Sequence, residues 1–119
     1  MKRIPMATIY HNPRCAKSRQ TLALLQTKGI DPDIILYLEH PPTRSLLVQL
    51  IEQLSIRAEQ LVRKSETEFK EHYADRELSE DDFIDAMLCY PKLIERPIVV
   101  IDKRAVLGRP PENVLALIP

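Results

Sequence analysis

Apolar and polar positions change period several times along the chain, and each change marks an element. Met6 to Tyr10 is a short apolar run of strand formers. Beyond Cys15, Ser18, Leu22 and Leu25 fall on one stripe at helical spacing, which predicts a helix to about Lys28. Gly29 then suits the C-terminal cap. Asp31-Pro32-Asp33 reads as a turn. Ile34-Ile35-Leu36-Tyr37-Leu38 is unbroken by polar residues, the pattern of a strand covered on both faces. Strand, helix and strand with short links predict a right-handed unit with parallel strands.

Pro41-Pro42 interrupts this pattern, and Thr43 can cap a new helix. Leu46, Leu47, Leu50, Ile51 and Leu54 then recur on one helical face. Ile56 to Val62 and Glu66 to Tyr73 read as shorter helices. Ser79 followed by Glu80-Asp81-Asp82 is a helix start, with a capping hydroxyl and acids at the positive end of the dipole. Phe83, Ile84, Met87 and Leu88 form its buried side, and Pro91 stops it. Sheet-forming sequence resumes at Pro97 to Ile101, turns at Asp102-Lys103 and returns through Arg104 to Leu107. A last helix covers Glu112 to Leu117, with Pro111 near its first position. The order β-α-β, helices, β-β-α predicts an α/β chain with a mixed sheet. It fits a thioredoxin-like layout carrying a helical insertion at about 41–91. Such folds often place a cis proline beside the thiol at the start of the third strand, and Pro97 occupies that position. There is no internal repeat and no low-complexity segment.

The length, 119 residues, suits one domain, 1–119, and a hydrophobic fraction of 45% supplies a core. With 17 basic and 17 acidic residues the formal net charge is zero, which argues against a general nucleic-acid binder. No apolar run approaches the roughly 20 residues that span a bilayer. The charged start Met1-Lys2-Arg3 leads into no hydrophobic segment, so no signal peptide and no membrane partner are expected, and the expected location is the cytoplasm. Two cysteines in that compartment read as free or redox-active thiols rather than a structural pair. With 10 prolines and 2 glycines, turns are set mostly by proline.

The chemistry concentrates in His11-Asn12-Pro13-Arg14-Cys15-Ala16-Lys17-Ser18-Arg19, between the first strand and the first helix. At a helix start the free N–H groups and the dipole favour a negative group, and Arg14, Lys17 and Arg19 add positive field. Cys15 is therefore a candidate nucleophile in its thiolate form. Cys15-Ala16-Lys17-Ser18 has the spacing of a redox Cys-x-x-Cys with serine in the second place. It suits one-thiol chemistry in which an outside thiol resolves the adduct. Ser18 either hydrogen-bonds the thiolate or is an ordinary first-turn serine. His11 either supports the thiolate as imidazolium or accepts its proton as a neutral base. Asn12 can hold the loop's shape. His40 and His72 read as surface, and no Cys/His spacing resembles a metal site. Cys89 reads as a packed small residue, with a resolving thiol as the alternative. Arg96 before Pro97 and Arg109 before Pro110-Pro111 stand out as candidate oxyanion ligands, because the guanidinium fork binds tetrahedral oxyanions bidentately.

Ile9-Tyr10-His11-Asn12-Pro13-Arg14-Cys15 resembles the opening signature of the ArsC family, the glutaredoxin-coupled arsenate reductases. The likeness continues through Ile34 to Glu39 with Pro41-Pro42, Leu61-Val62-Arg63-Lys64, Pro91 to Val100, and Gly108-Arg109-Pro110. The resemblance implies a thioredoxin-like fold with a helical insertion and Cys15 as nucleophile toward arsenate. It also implies that His11 adjusts the thiol's ionisation, that Ser18 supports the thiolate, and that Arg63, Arg96 and Arg109, with Asn12, hold the substrate. It implies glutathione as co-substrate, glutaredoxin as protein partner, and neither a bound cofactor nor a metal. Ala16-Lys17 after the cysteine and the end at Pro119 look closer to the short, YfgD-type members. Two other functions fit parts of the pattern. One is a monothiol transfer enzyme acting on glutathione adducts. The other is a non-catalytic, Spx-like regulator that binds RNA polymerase, against which Ser18 speaks.

Overall fold

The computed structural model describes residues 6–118. The chain divides into two compact units, Met1–His40 with Arg96–Pro119, and Pro41–Glu95.

The first unit is built on a four-stranded mixed sheet in the order β2-β1-β3-β4. Its strands are β1 (Ala7–His11), β2 (Asp33–Leu36), β3 (Ile98–Ile101) and β4 (Arg104–Leu107). β2 runs parallel to β1, while β3 is antiparallel to both β1 and β4. Helix α1 (Ala16–Thr27) and a closing 3-10 helix (Pro111–Leu117) accompany the sheet. Alternation along β1 sends Ala7 and Ile9 to one face, where they cluster with Leu25, Ile30, Val99, Ile101, Val114 and Leu117. The α/β class, the mixed sheet and the parallel β1–β2 pair agree with the sequence pattern.

One expectation is corrected in this unit. The run Ile34–Leu38 was expected to form a strand covered on both faces. Instead β2 ends at Leu36 and lies at the sheet's edge, with Ile34 48% exposed. An apolar run states strand propensity, but position in the sheet is set by pairing partners it does not contain. The fully buried residues of α1 are Ser18, Thr21 and Leu25, and Leu22, on the expected stripe, is half-buried and packs against the core cluster. Spacings of three and four both lie on one helical face, and the structure selects Thr21.

The turn between β3 and β4 places Asp102 at φ 50° and Lys103 at φ 71°. Two consecutive left-handed residues make the tight hairpin turn whose twist matches the strands. Gly29, at φ 78°, ends α1 in the left-handed conformation that glycine adopts without steric cost.

The second unit is helical: α2 (Arg44–Leu54), α3 (Ala58–Leu61), α4 (Thr67–His72), α5 (Glu80–Cys89) and a 3-10 turn at Pro91–Leu93. Thr43 caps α2 by accepting from the Leu46 N–H at 3.2 Å. Ser79 and Asp82 cap α5 reciprocally, Ser79 Oγ accepting from Asp82 N–H and Asp82 Oδ2 from Ser79 N–H. Phe69 and Phe83 stack with centroids 6.5 Å apart among the buried side chains of this unit. No helix among the described residues is long and apolar enough to cross a membrane.

Candidate active site

The loop from His11 to Cys15 is held by its own backbone and side chains. Pro13 sits inside a turn closed by Cys15 N–H donating to the Asn12 carbonyl at 3.0 Å. Asn12 Oδ1 accepts from Arg14 N–H at 3.0 Å, the local bond that makes asparagine a turn residue. Arg19, one turn into α1, donates to the Pro13 carbonyl at 2.9 Å and ties the loop to the helix. Cys15 is the N-cap of α1, extended and with no side-chain cap bond. Cys15 thus stands at the end of α1 where first-turn N–H groups have no intrahelical acceptor and an incoming anion is favoured.

His11 continues the alternation of Ala7 and Ile9, which carries its ring inward. It is 6% exposed, and its Nδ1 lies 2.6 Å from Ser18 Oγ. Ser18 is fully buried and also accepts from Asn12 N–H at 3.1 Å. Burial pushes the His11 pKa below its usual value, and the Arg19 charge pushes it the same way. A neutral ring protonated on Nε2 accepts the Ser18 O–H at Nδ1, and Ser18 Oγ takes the Asn12 N–H, so one buried hydroxyl joins the ring to the loop backbone. Of the two roles read for His11, burial favours the neutral ring. The bonds made by Ser18 and Asn12 shape the loop that presents the thiol.

Strand register explains why distant residues reach this loop. Tyr10 pairs with Ile98, and Ile98 pairs with Leu107. The end of β1, the start of β3 and the end of β4 therefore share one rim of the sheet. Arg96–Pro97 is a cis peptide, and so is Arg109–Pro110, the second without a sequence expectation. Gly108 N–H donates to the Pro97 carbonyl at 2.9 Å, and Thr21 Oγ1 donates to the Gly108 carbonyl at 3.1 Å. Arg109 follows directly. Its Nη1 lies 3.8 Å from Cys15 Sγ and 3.4 Å from the Arg96 carbonyl. A sulfur and a guanidinium 94 residues apart in sequence thus meet at the N-terminus of α1. An anion arriving there finds a permanent positive charge, helix-terminal N–H groups and a nucleophilic atom together.

Arg63 belongs to the helical unit. It is anchored by its N–H donating to the Leu93 carbonyl at 2.7 Å, and it pairs with Glu66 at 2.6 Å and Glu95 at 3.6 Å. Cys89 is exposed at the end of α5, which corrects the expectation of a packed small residue. It follows Met87 and Leu88 in sequence, but its angular position turns it from the buried side. Both cysteines are free thiols. His40 and His72 are exposed, as expected, although His72 stacks on Tyr90 with centroids 5.4 Å apart. Among the described residues no group of three or more His, Cys, Asp or Glu side chains gathers as a metal site.

Thr21 and Gly108 were not singled out by sequence. The signal for Thr21 was a polar residue three positions from Ser18 on the inward stripe. For Gly108 it was one of only two glycines standing beside Arg109-Pro110.

A cysteine at the N-cap position of the first helix after the first strand, on a mixed sheet whose third strand follows a cis proline, defines a protein of thioredoxin-like fold with a single cysteine in its active loop. The ArsC family pattern matches residues 10–117, and the chain belongs to that family. It is 49% identical over 112 residues to the uncharacterised protein YfgD of Escherichia coli K12, covering 92% of this chain and 94% of that protein. To an arsenate reductase of Escherichia coli it is 45% identical over 113 residues, 94% of this chain and 80% of that enzyme. The solved structure described as an arsenate reductase from Vibrio cholerae superposes with a TM-score of 0.93 at 46% identity, covering 98% of this chain and all of the other.

Proposed function

We propose that this protein is an oxidoreductase that reduces arsenate to arsenite, with Cys15 as nucleophile and glutathione with glutaredoxin as the source of reducing thiols. The observation that carries the reading is the approach of Arg109 Nη1 to Cys15 Sγ at 3.8 Å on the α1 N-terminus, in a chain of the ArsC family. The similarity to proteins named arsenate reductase supports arsenate as the oxyanion. In this reading Arg109, with Arg96, neutralises the tetrahedral oxyanion, and its charge lowers the barrier for an anionic nucleophile to approach an anion. Cys15 sulfur forms a bond to arsenic as an arsenate oxygen leaves as water. Glutathione then adds to the arsenic, and glutaredoxin completes the thiol exchange. Overall one arsenate and two thiols give one arsenite, one disulfide and one water; arsenic gains the two electrons that the sulfurs lose. His11, Ser18 and Asn12 keep the loop in the geometry that aims the sulfur. No bound cofactor or metal enters the scheme. A cytoplasmic setting, where thiols stay reduced, fits two free cysteines.

The test is arsenate-dependent NADPH oxidation coupled through glutathione, glutathione reductase and glutaredoxin. The unaltered chain should turn over, Cys15→Ser should abolish turnover, and Cys89→Ser should retain most of it. Undiminished arsenate reduction by Cys15→Ser, or none by the unaltered chain with every coupling component present, overturns the reading.

A further inference from the structure

A cavity of about 290 Å³ opens beside the active loop, lined by His11 to Arg14, by Leu36 at the end of β2, and by Leu38 and Glu39 just beyond it. That volume is at the small end of ligand pockets, which run from about 300 to 1,000 Å³; it suits a small molecule and not a protein. Its walls are chemically mixed. Leu36 is half-buried and Leu38 is 46% exposed, so the wall offers apolar surface to an incoming ligand. Arg14 and Glu39 are both exposed, and neither side chain makes an ion pair or hydrogen bond with any described residue. One cavity thus carries an unengaged cation and an unengaged anion with hydrocarbon beside them.

From this we propose that the cavity binds a small zwitterionic thiol of the glutathione class, with Glu39 facing its ammonium group, Arg14 a carboxylate, and Leu36 and Leu38 its carbon skeleton. The inference rests on the proposed reaction and adds where the resolving thiol sits. A simple oxyanion matches the cavity poorly, because Glu39 opposes it; a simple cation is opposed by Arg14. The location also suits a co-substrate. Arg14 adjoins Cys15, and the carbonyl of Asn12, another lining residue, accepts the Cys15 N–H at 3.0 Å. A thiol held here condenses with the arsenic carried by Cys15. An As–S bond forms, an As–O bond breaks, and the thiol proton leaves with the hydroxyl as water, with no change of oxidation state in that step.

Two measurements test the subsite, one independent of arsenate. S-methylglutathione, which has the charges but no free thiol, is titrated into the full chain and followed by amide chemical shifts. Perturbations should centre on Asn12, Arg14, Leu38 and Glu39, and Glu39→Lys should weaken binding about tenfold, as expected for exchanging a charge-assisted contact for like-charge repulsion. In the coupled assay Glu39→Lys should raise KM for glutathione about tenfold while KM for arsenate stays unchanged. Shifts centred elsewhere, or equal S-methylglutathione affinity for Glu39→Lys and the unaltered chain, overturn the subsite. Binding that depends on Glu39 in a chain that fails to reduce arsenate would sink the proposed reaction and leave the subsite standing.

Discussion

Replacing Gly108 with alanine is expected to destabilise the chain by about 1–3 kcal/mol, the usual range for forcing atoms into a packed site. A methyl group at Gly108 would lie 2.6 Å from Thr21 Oγ1, 2.8 Å from Thr21 Cγ2 and 2.8 Å from Pro97 Cγ. Neither neighbour is a flexible surface side chain. Thr21 is fully buried, its hydroxyl is shared between the Lys17 and Gly108 carbonyls, and Pro97 is a buried ring. The backbone must therefore move, and the Gly108 N–H bond to the Pro97 carbonyl moves with it. Unfolding entropy of about 2.1 cal/mol/K per residue puts one kcal/mol at about 4 °C for a chain of this length, so Tm should fall by about 4–12 °C. Thermal unfolding followed by circular dichroism measures it. Thr21→Ala removes two of the three crowding atoms, so combined with Gly108→Ala it should cost less than the two single substitutions added together. A Gly108→Ala protein melting with the unaltered chain, or strict additivity in that cycle, would refute the idea that a missing Cβ lets α1 approach the β4 exit.

Arg109→Ala should reduce the rate at which Cys15 reacts with iodoacetate roughly tenfold more than its rate with neutral iodoacetamide, since the lost guanidinium attracts only the anion. An unchanged ratio of the two rates would remove Arg109 from the anion site. The buried, neutral His11 should make the fold sensitive to mild acid. Its folded-state pKa is lowered, so its contribution is present above the unfolded histidine value of about 6.5 and is lost as pH falls through the lower folded value. The unaltered chain should accordingly lose more stability between about pH 7 and 5 than His11→Gln does; parallel Tm profiles over that range would contradict it.

The local half of the site was readable because local rules decide it. Pro13, Asn12 and Cys15 obey turn and cap chemistry that needs nothing from elsewhere, and the structure places the thiol at the helix start that spacing implied. Burial of His11 was also within reach. Two-residue alternation from Ala7 and Ile9 sends it inward, and helical spacing from Cys15 sends Ser18 to meet it. The edge position of β2 was not readable in the same way. The run Ile34–Leu38 carries no statement about whether a second strand lies beyond it, and among the described residues none does.

Arg109 shows what spacing cannot supply and register can. Nothing within ten residues of it mentions a cysteine. Its place follows from two antiparallel pairings, Tyr10 with Ile98 and Ile98 with Leu107, each shifting all downstream atoms by a full residue if it slips. A one-residue slip in either pairing would turn the apolar positions of β3 or β4 to the wrong face and carry Gly108 away from Thr21. The same hydrophobic alternation that buries Ile9, Val99 and Ile101 therefore sets the distance between the guanidinium and the sulfur. In this fold the core and the chemistry are specified by one set of residues, which is why crowding a glycine that touches no reacting atom is expected to disturb both.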